Sequence, residues 1–209
     1  MRHVLVETNW VVGYAAPAHH QQPPAQQLFD RARGGEVRLH LPAPCLTEAR
    51  FTIERRCQPR NEADAIRDFV RWSRSADRLD ATDGDAVLRV LDMFEARVKG
   101  EIRALKATLE ALRHEPGVDV YALDDAMLDR AMALGASELY LSPYDQAILG
   151  AVLVRAERLR DSGETNVVFC ELDADLLPLD KRRVPRQPLA TLYQQAGLHV
   201  IDGFDIDAL

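Results

Sequence analysis

The chain has 209 residues, of which 47% are hydrophobic and 28% charged, and its formal net charge is −7 with a pI near 5.4. This length and apolar content suffice for one domain with a full hydrophobic core and an added segment. The negative charge argues against a protein that coats nucleic acid non-specifically, since such binding needs clustered cations that face the phosphates.

The first apolar run places an acidic residue at the exit of a strand. Val4-Leu5-Val6 predicts a short buried strand, and Glu7 follows it directly. A carboxylate next to an apolar strand is partly desolvated, which is costly unless a cation or hydrogen-bond donors meet it. We therefore expect Glu7 to have a functional role at the end of this strand.

A helix and a second strand follow. Residues 23–33 predict a helix ended by a glycine pair, and the apolar alternation over residues 37–41 predicts a strand that stops at Pro42. Thr47 is a suitable N-cap for the next helix, which places Glu48 at a strand-to-helix junction. An acid in the first turn of a helix is stabilised by the helix dipole, so Glu48 taken alone has a structural explanation.

The middle of the chain predicts a helical insert over residues 61–115. Asn61 is the expected cap of a helix that runs to residue 79, and Asp83 is the expected start of a longer helix that runs to residue 113. Apolar residues of the longer helix recur every three or four positions, a spacing typical of helices that pack side by side. This seam is expected to join the core or to form a dimer interface, and its members are Val87, Leu91, Phe94, Val98, Ile102, Leu105, Leu109 and Leu112.

A further acid lies at the start of a later helix. Residues 124–134 predict a short helix, and Ser142-Pro143 predicts the start of the next one. The four residues from Ser142 match a capping box in which Asp145 takes the place of Glu, which is a complete structural explanation for this acid. A functional role for Asp145 therefore depends on other acids lying nearby.

Two more acids follow the strand predicted over residues 167–170. In Glu171-Leu172-Asp173-Ala174-Asp175 the two aspartates point the same way if the segment is extended, and an acidic loop is the alternative. A helix over residues 189–196 and a strand over residues 198–201 complete the predicted elements.

Strands that alternate with helices predict an α/β fold, with a mostly parallel central sheet and helices on both faces. Ligands bind to such sheets beyond the carboxyl ends of the strands. Carboxylates gathered there repel one another, so they stay ionised only if a divalent cation neutralises them or if some take up protons. The sequence therefore predicts a metal site suited to phosphodiester cleavage, formed by Glu7, Glu48, Asp145, Asp173 and Asp175.

Four segments of the chain resemble the ordered motifs of PIN-domain ribonucleases. They cover nearly the whole chain outside the insert, and the family they resemble includes the toxins of many prokaryotic toxin–antitoxin pairs. Members of that family hold Mg²⁺ or Mn²⁺ with such acids and cleave RNA endonucleolytically. The resemblance implies a single PIN-like three-layer domain over residues 1–209. The segments are Val4-Leu5-Val6-Glu7-Thr8-Asn9, Pro44-Cys45-Leu46-Thr47-Glu48, Leu141-Ser142-Pro143-Tyr144-Asp145-Gln146-Ala147-Ile148-Leu149 and Phe169-Cys170-Glu171-Leu172-Asp173-Ala174-Asp175.

The resemblance also implies roles for individual residues. Thr8 and Asn9 would order the first acid, and Asp175 would be a further metal ligand. Exposed arginines could hold the RNA backbone, although a solvated surface explains them equally well. The catalytic, metal-binding core would be Glu7, Glu48, Asp145 and Asp173, and the candidate RNA contacts are Arg50, Arg182 and Arg183.

Three features depart from the family pattern. The first acid is usually Asp, and the longer Glu7 predicts weaker activity or a preference for Mn²⁺. Glu171 stands where the fourth motif normally carries a hydroxyl, and it would either add a ligand or repel substrate phosphate. The insert is longer than in compact members. The alternative prediction is a catalytically weak or inactive PIN-like module that binds RNA or a protein partner through the insert.

Cysteine usage and the N-terminus favour a cytoplasmic protein. Cys45, Cys57 and Cys170 are odd in number and follow no metal-ligand spacing, so we expect no disulfide framework and a reducing compartment. The N-terminus leads directly into an apolar strand without the pattern of a signal peptide, and the longest apolar run is too short to cross a bilayer. The expected partners are RNA, an antitoxin or another protein, and a second copy of the chain in a dimer, but no membrane.

Overall fold

The structure is a computed structural model that describes residues 1–137 and 139–208, with the side chains of Asn61, Glu62 and Ala208 left out. Within these residues five strands form one sheet, in which every pair of neighbouring strands is parallel. The strands are β1 (Arg2–Leu5), β2 (Val37–Pro42), β3 (Val118–Tyr121), β4 (Val167–Glu171) and β5 (His199–Asp202), in the spatial order β3-β2-β1-β4-β5.

Helices alternate with these strands, which confirms the predicted α/β fold with a parallel sheet and helices on both faces. The helix predicted over residues 23–33 and the one predicted over residues 189–196 have the predicted bounds. The helices are α1 (Thr8–Ala15), α2 (Pro23–Arg33), α3 (Pro44–Arg56), α4 (Arg60–Ser75), α5 (Ala81–Arg113), α6 (Asp125–Gly135), α7 (Pro143–Asp161) and α8 (Leu189–Ala196), with 3₁₀ turns at Ala18–His20 and Ile206–Ala208.

The strand order reverses between β1 and β4. β2 and β3 lie on one side of β1, whereas β4 and β5 lie on the other side. A reversal of this kind leaves a crevice at the carboxyl ends of the two central strands, where parallel α/β sheets bind ligands. Nearly all of β1 and β4 is buried, which explains the apolar runs Val4-Leu5 in β1 and Val167-Val168-Phe169-Cys170 in β4. Glu7 and Asp173 lie just beyond the ends of these two strands.

Three helices begin earlier in the chain than the sequence predicts. Thr47 is not a cap, because α3 begins at Pro44, and a proline fits the first turn of a helix. Asn61 is not a cap either, because α4 begins one residue earlier and ends at Ser75 rather than at residue 79. α5 begins two residues before Asp83, whose backbone N–H donates to the capping side chain of Asp80 at 2.9 Å.

The hairpin of α4 and α5 packs within the chain. Arg67 of α4 forms ion pairs with Asp92 and Glu95 of α5, and Arg74 pairs with Asp85 at 2.8 Å. The C-terminal half of α5 joins the main hydrophobic core. Five members of the predicted seam are buried, namely Leu91, Val98, Leu105, Leu109 and Leu112, while Phe94 and Ile102 are half-buried and Val87 is exposed.

The sequence pattern does not predict β3. This strand has only four residues, too few to show an alternation, and it forms because β2 offers a free edge. Its Asp119 carboxylate lies 3.0 Å from the His40 ring and pairs with Arg155 of α7. Gly117 precedes the strand, and a Cβ there would collide with the Ala32 carbonyl of α2. Tertiary contacts therefore determine this strand.

Two further predictions concern cysteines and membranes. The three cysteines are buried and form no disulfide among the described residues. Apolar burial raises the pKa of the Cys45 thiol to about 12, so this side chain packs as a small apolar group. In the described part of the chain, no helix combines the length and apolarity that crossing a membrane requires.

Candidate functional site

Four of the predicted acids line one cavity at the carboxyl edge of the sheet. Glu7 and Asp173 come from the segments that follow β1 and β4, whereas Glu48 belongs to α3 and Asp145 to α7. The cavity has a volume of about 190 Å³. Four elements that are distant in sequence thus bring carboxylates to the crevice between β1 and β4. The rest of the lining consists of Thr8, Asn9, Thr52, Arg56, Tyr144, Ile148 and Leu176.

Glu7 is the most buried acid of this cavity, with 7% of its surface exposed. It caps α1, and its Oε1 atom accepts a hydrogen bond from the backbone N–H of Asn9 at 2.9 Å. Burial raises the pKa of Glu7, and the negative charge of Glu171 raises it further. An ionised Glu7 is therefore costly unless a cation accompanies it.

The Thr8 hydroxyl contacts Glu48 rather than Glu7. It donates to the Oε2 atom of Glu48 at 2.5 Å and lies 3.2 Å from the hydroxyl of Tyr144. Thr8 is the first residue of α1, which packs against α3, and this placement directs its side chain to the acid of α3. The resemblance implies that Thr8 and Asn9 both order Glu7. In the structure the backbone N–H of Asn9 donates to Glu7, whereas the Thr8 hydroxyl donates to Glu48.

Asp145 both caps a helix and lines the cavity. The Ser142 hydroxyl oxygen accepts a hydrogen bond from the backbone N–H of Asp145 at 3.2 Å and donates to its Oδ2 atom at 2.6 Å. This is the capping geometry predicted for the start of α7. The Ser142 hydroxyl occupies the Oδ2 atom of Asp145, and the Oδ1 atom of Asp145 has no hydrogen bond within the described residues. The structural and the functional interpretation of Asp145 are therefore compatible.

The segment after β4 brings Asp173 to the cavity but not Asp175. The Oδ1 atom of Asp173 accepts the backbone N–H of Asp175 at 2.8 Å, and the carbonyl of Asp173 accepts the N–H of Leu176 at 3.0 Å. These bonds form a turn, whereas the two aspartates would point the same way only in an extended segment. The side chain of Asp175 is 79% exposed and lies 3.9 Å from the Arg186 guanidinium. The expected ligand Asp175 is thus separated from the other acids.

The arginines predicted to bind RNA lie outside the cavity. Arg50 of α3 donates to Glu54 at 2.8 Å and lines a separate groove together with Lys106. Arg182 and Arg183 lie in the exposed loop between β4 and α8, and Arg183 lines a groove that includes Asp175. These positions leave the role of the three arginines as a prediction.

Arg56 lines the acidic cavity, and sequence reasoning does not single it out. It lies two helical turns beyond Glu48 on α3, and Thr52, one turn beyond Glu48, lines the cavity as well. Residues four positions apart share one face of a helix, so this spacing is the signal that could have found both. Within the described residues, Arg56 is the cation of the cavity lining.

The carboxylates of the cavity match the ligand preference of Mg²⁺ and Mn²⁺, which is for oxygen donors. Glu48, Asp145 and Asp173 each accept a side-chain or backbone hydrogen bond at one carboxylate oxygen, and none of the described residues donates to the second oxygen. As the described side chains stand, no group of three or more His, Cys, Asp or Glu residues is arranged to hold a metal ion. Holding one ion jointly would therefore require side-chain rotations toward a common point.

Comparisons with known proteins give no independent assignment. Searches against protein-family models, curated proteins and solved structures found no match for this chain. The function is therefore inferred from the cavity and the residues that line it.

Proposed function

We propose that the chain is a metal-dependent endoribonuclease of the PIN type, which hydrolyses RNA phosphodiester bonds. The observation that carries this proposal is the convergence of Glu7, Glu48, Asp145 and Asp173 on one cavity at the end of the central strands. Each of these acids has a local explanation by itself. Their meeting at one cavity from four separate elements supports a shared cation, which they would hold after their side chains rotate toward a common point.

The same four acids would hold Mg²⁺ or Mn²⁺. The bound ion would lower the pKa of a water molecule and neutralise charge on the phosphate oxygens. The backbone N–H of Asn9 would hold the Glu7 carboxylate in place, and the Thr8 hydroxyl would orient the Glu48 carboxylate. No side chain of the cavity has to act as a nucleophile.

Cations of the chain would hold the substrate. Arg56, at the cavity itself, is placed to meet the scissile phosphate, and Arg50, Arg182 and Arg183 would contact the RNA backbone farther away. Such local contacts are needed because the net charge of −7 repels RNA as a whole. By resemblance, the proposal extends to a cytoplasmic toxin that an antitoxin holds inactive.

The test is RNA cleavage by two matched variants, Asp173→Asn and Asp175→Asn. The first removes a charge from the cavity, and the second removes one from an exposed residue of the same turn. We expect Asp173→Asn to lower Mn²⁺-stimulated cleavage by about 100-fold or more, because a charged ligand is lost, and Asp175→Asn to cleave like the wild type. Circular dichroism checks that both variants are folded. Unchanged cleavage by Asp173→Asn would refute the proposed site.

A second candidate function is protein binding through the helical hairpin, and an exposed apolar surface favours it. On α4 the side chains of Ile66, Phe69 and Trp72 are 45%, 62% and 50% exposed, and the two aromatic rings lie 5.9 Å apart. On α5 Val90 and Met93 are exposed as well. We propose a second copy of the chain as the partner, since two such hairpins related by a two-fold axis would pack as a four-helix bundle.

A further inference from the structure

Glu171, the last residue of β4, is a fully buried acid to which the proposed function gives no role. Its exposed fraction is 0%. The Oε1 atom accepts hydrogen bonds from the backbone N–H groups of Leu172 at 2.8 Å and Asp173 at 2.7 Å. The Oε2 atom has no hydrogen-bond partner among the described residues. One oxygen of this carboxylate is therefore satisfied, and the other is not.

The strand register places Glu171 beside Glu7. Leu5 of β1 pairs with Phe169 of β4, and the two glutamates each lie two residues farther along parallel neighbours. Side chains two residues apart on a strand point to the same face, so continued register brings the two carboxylates together. The charge of Glu171 accordingly acts on Glu7, and the charges of Asp173 and Asp145 act on Glu171.

A buried carboxylate without a donor at one oxygen either takes up a proton or, if it stays ionised, needs a compensating positive charge. Leaving it ionised and unpaired in the protein interior is unfavourable, and a second carboxylate beside it adds repulsion. No ion pair between Glu171 and an Arg, Lys or His exists among the described residues. Glu7 lines the cavity whereas Glu171 does not, so a divalent cation could partner both glutamates only if their side chains rotated toward a common point.

We propose that the Oε2 atom of Glu171 is a direct ligand of the divalent cation, an assignment that rests on the proposed metal-dependent function. The two oxygens then have separate tasks. Oε1 holds the turn that presents Asp173 to the cavity, and Oε2 binds the ion together with Glu7. This role explains why the chain has a glutamate here, where the PIN-domain family that it resembles normally has a hydroxyl side chain.

The substitution Glu171→Gln separates these two tasks. Glutamine keeps a carbonyl oxygen that can accept the N–H groups of Leu172 and Asp173, but it lacks the negative charge that a divalent ligand supplies. Binding is measured on the full chain by electron paramagnetic resonance of free Mn²⁺ during a titration. We expect the dissociation constant for Mn²⁺ to rise at least about tenfold in Glu171→Gln. Glu36→Gln, which changes a glutamate that pairs with Arg31 at the surface, is the matched control and should bind Mn²⁺ like the wild type.

Thermal unfolding in EDTA keeps the test independent of folding defects. Glu171→Gln should unfold at a temperature no lower than that of the wild type, because the substitution removes repulsion with Glu7. Glu171→Asp keeps the charge but shortens the side chain by one methylene, so it should also weaken Mn²⁺ binding. Wild-type affinity for Mn²⁺ in Glu171→Gln would overturn the proposal and leave Glu171 as a residue that only positions Asp173.

RNA cleavage distinguishes failure of this inference from failure of the proposed function. If the wild type cleaves RNA with Mn²⁺ and Glu171→Gln binds Mn²⁺ unchanged, the ligand assignment is wrong and the nuclease proposal stands. If Glu171→Gln weakens Mn²⁺ binding but the wild type cleaves no RNA, the ligand assignment stands and the nuclease proposal is wrong. A wild type that binds no Mn²⁺ overturns the ligand assignment.

Discussion

Two glycine-to-alanine substitutions in helices should change stability in opposite directions. Gly150 lies within α7 where this helix meets α6, and a Cβ there would lie 2.9 Å from the Met127 carbonyl oxygen and 2.9 Å from the Ala131 nitrogen. Both contacts are to backbone atoms, which cannot rotate away. Gly100 lies within α5, and a Cβ there would meet nothing within 4 Å. The same chemical change therefore tests close packing at one site and open space at the other.

The magnitudes follow from helix propensity and overpacking. Alanine is favoured over glycine in a helix interior by about 1 kcal/mol, so Gly100→Ala should raise the free energy of unfolding by roughly that amount. At Gly150 the same gain is opposed by overpacking, which typically costs about 1–3 kcal/mol. We expect the two variants to differ by about 1–3 kcal/mol, which is roughly 2–12 °C in unfolding midpoint for a chain of this size.

Urea denaturation followed by circular dichroism measures both variants. The slope of the free energy against urea concentration should stay constant, which shows that the same surface is exposed on unfolding. The control is the wild type measured in parallel. If Gly150→Ala is stabilised as much as Gly100→Ala, the close packing of α6 on α7 is refuted.

Two further predictions concern acid stability and the hairpin surface. Burial lowers the pKa of His3 and His40 below the unfolded value of 6.5. The stability contributed by the two neutral histidines should therefore be fully present above pH 6.5 and be lost as the pH falls through their folded pKa values. The free energy of unfolding should fall by up to about 1.4 kcal/mol per pH unit for each histidine. Urea titrations between pH 4 and pH 8 check this, and a His40→Gln variant with the same acid dependence as the wild type would contradict it. By light scattering, we expect the wild type to be a dimer and the double variant Phe69→Ser with Trp72→Ser to be a monomer. A wild type that is itself monomeric at micromolar concentration would contradict the hairpin dimer.

The elements that the sequence predicts well are those whose pattern is local. The apolar runs of β1 and β4 and the helix from Pro23 to Arg33 show their type in a short window, and the α/β alternation follows from them. Ser142 is also found correctly as a cap, because a serine before a proline and an acid three residues later leave few alternatives. Thr47 and Asn61 fail as caps because prolines nearby start their helices earlier.

The parts of the site that sequence reasoning misses depend on long-range contacts. Asp175 matches its motif as well as Asp173 does, but the hydrogen bonds of a turn direct only Asp173 to the cavity. Arg56 has no motif of its own and becomes relevant only once Glu48 is placed. Glu171 is noted in the sequence as a departure from a family pattern, whereas its missing hydrogen-bond partner becomes apparent only when β1 and β4 are paired.

The most direct test of the shared cation is anomalous X-ray scattering from a crystal of the full chain soaked in Mn²⁺. Four acids from separate elements that hold one ion should give an anomalous peak inside the cavity, at about 2.0–2.6 Å from carboxylate oxygens of Glu7 and Asp173. A map that has Mn²⁺ peaks only at other surfaces, with none between these two acids, would contradict the proposed metal centre.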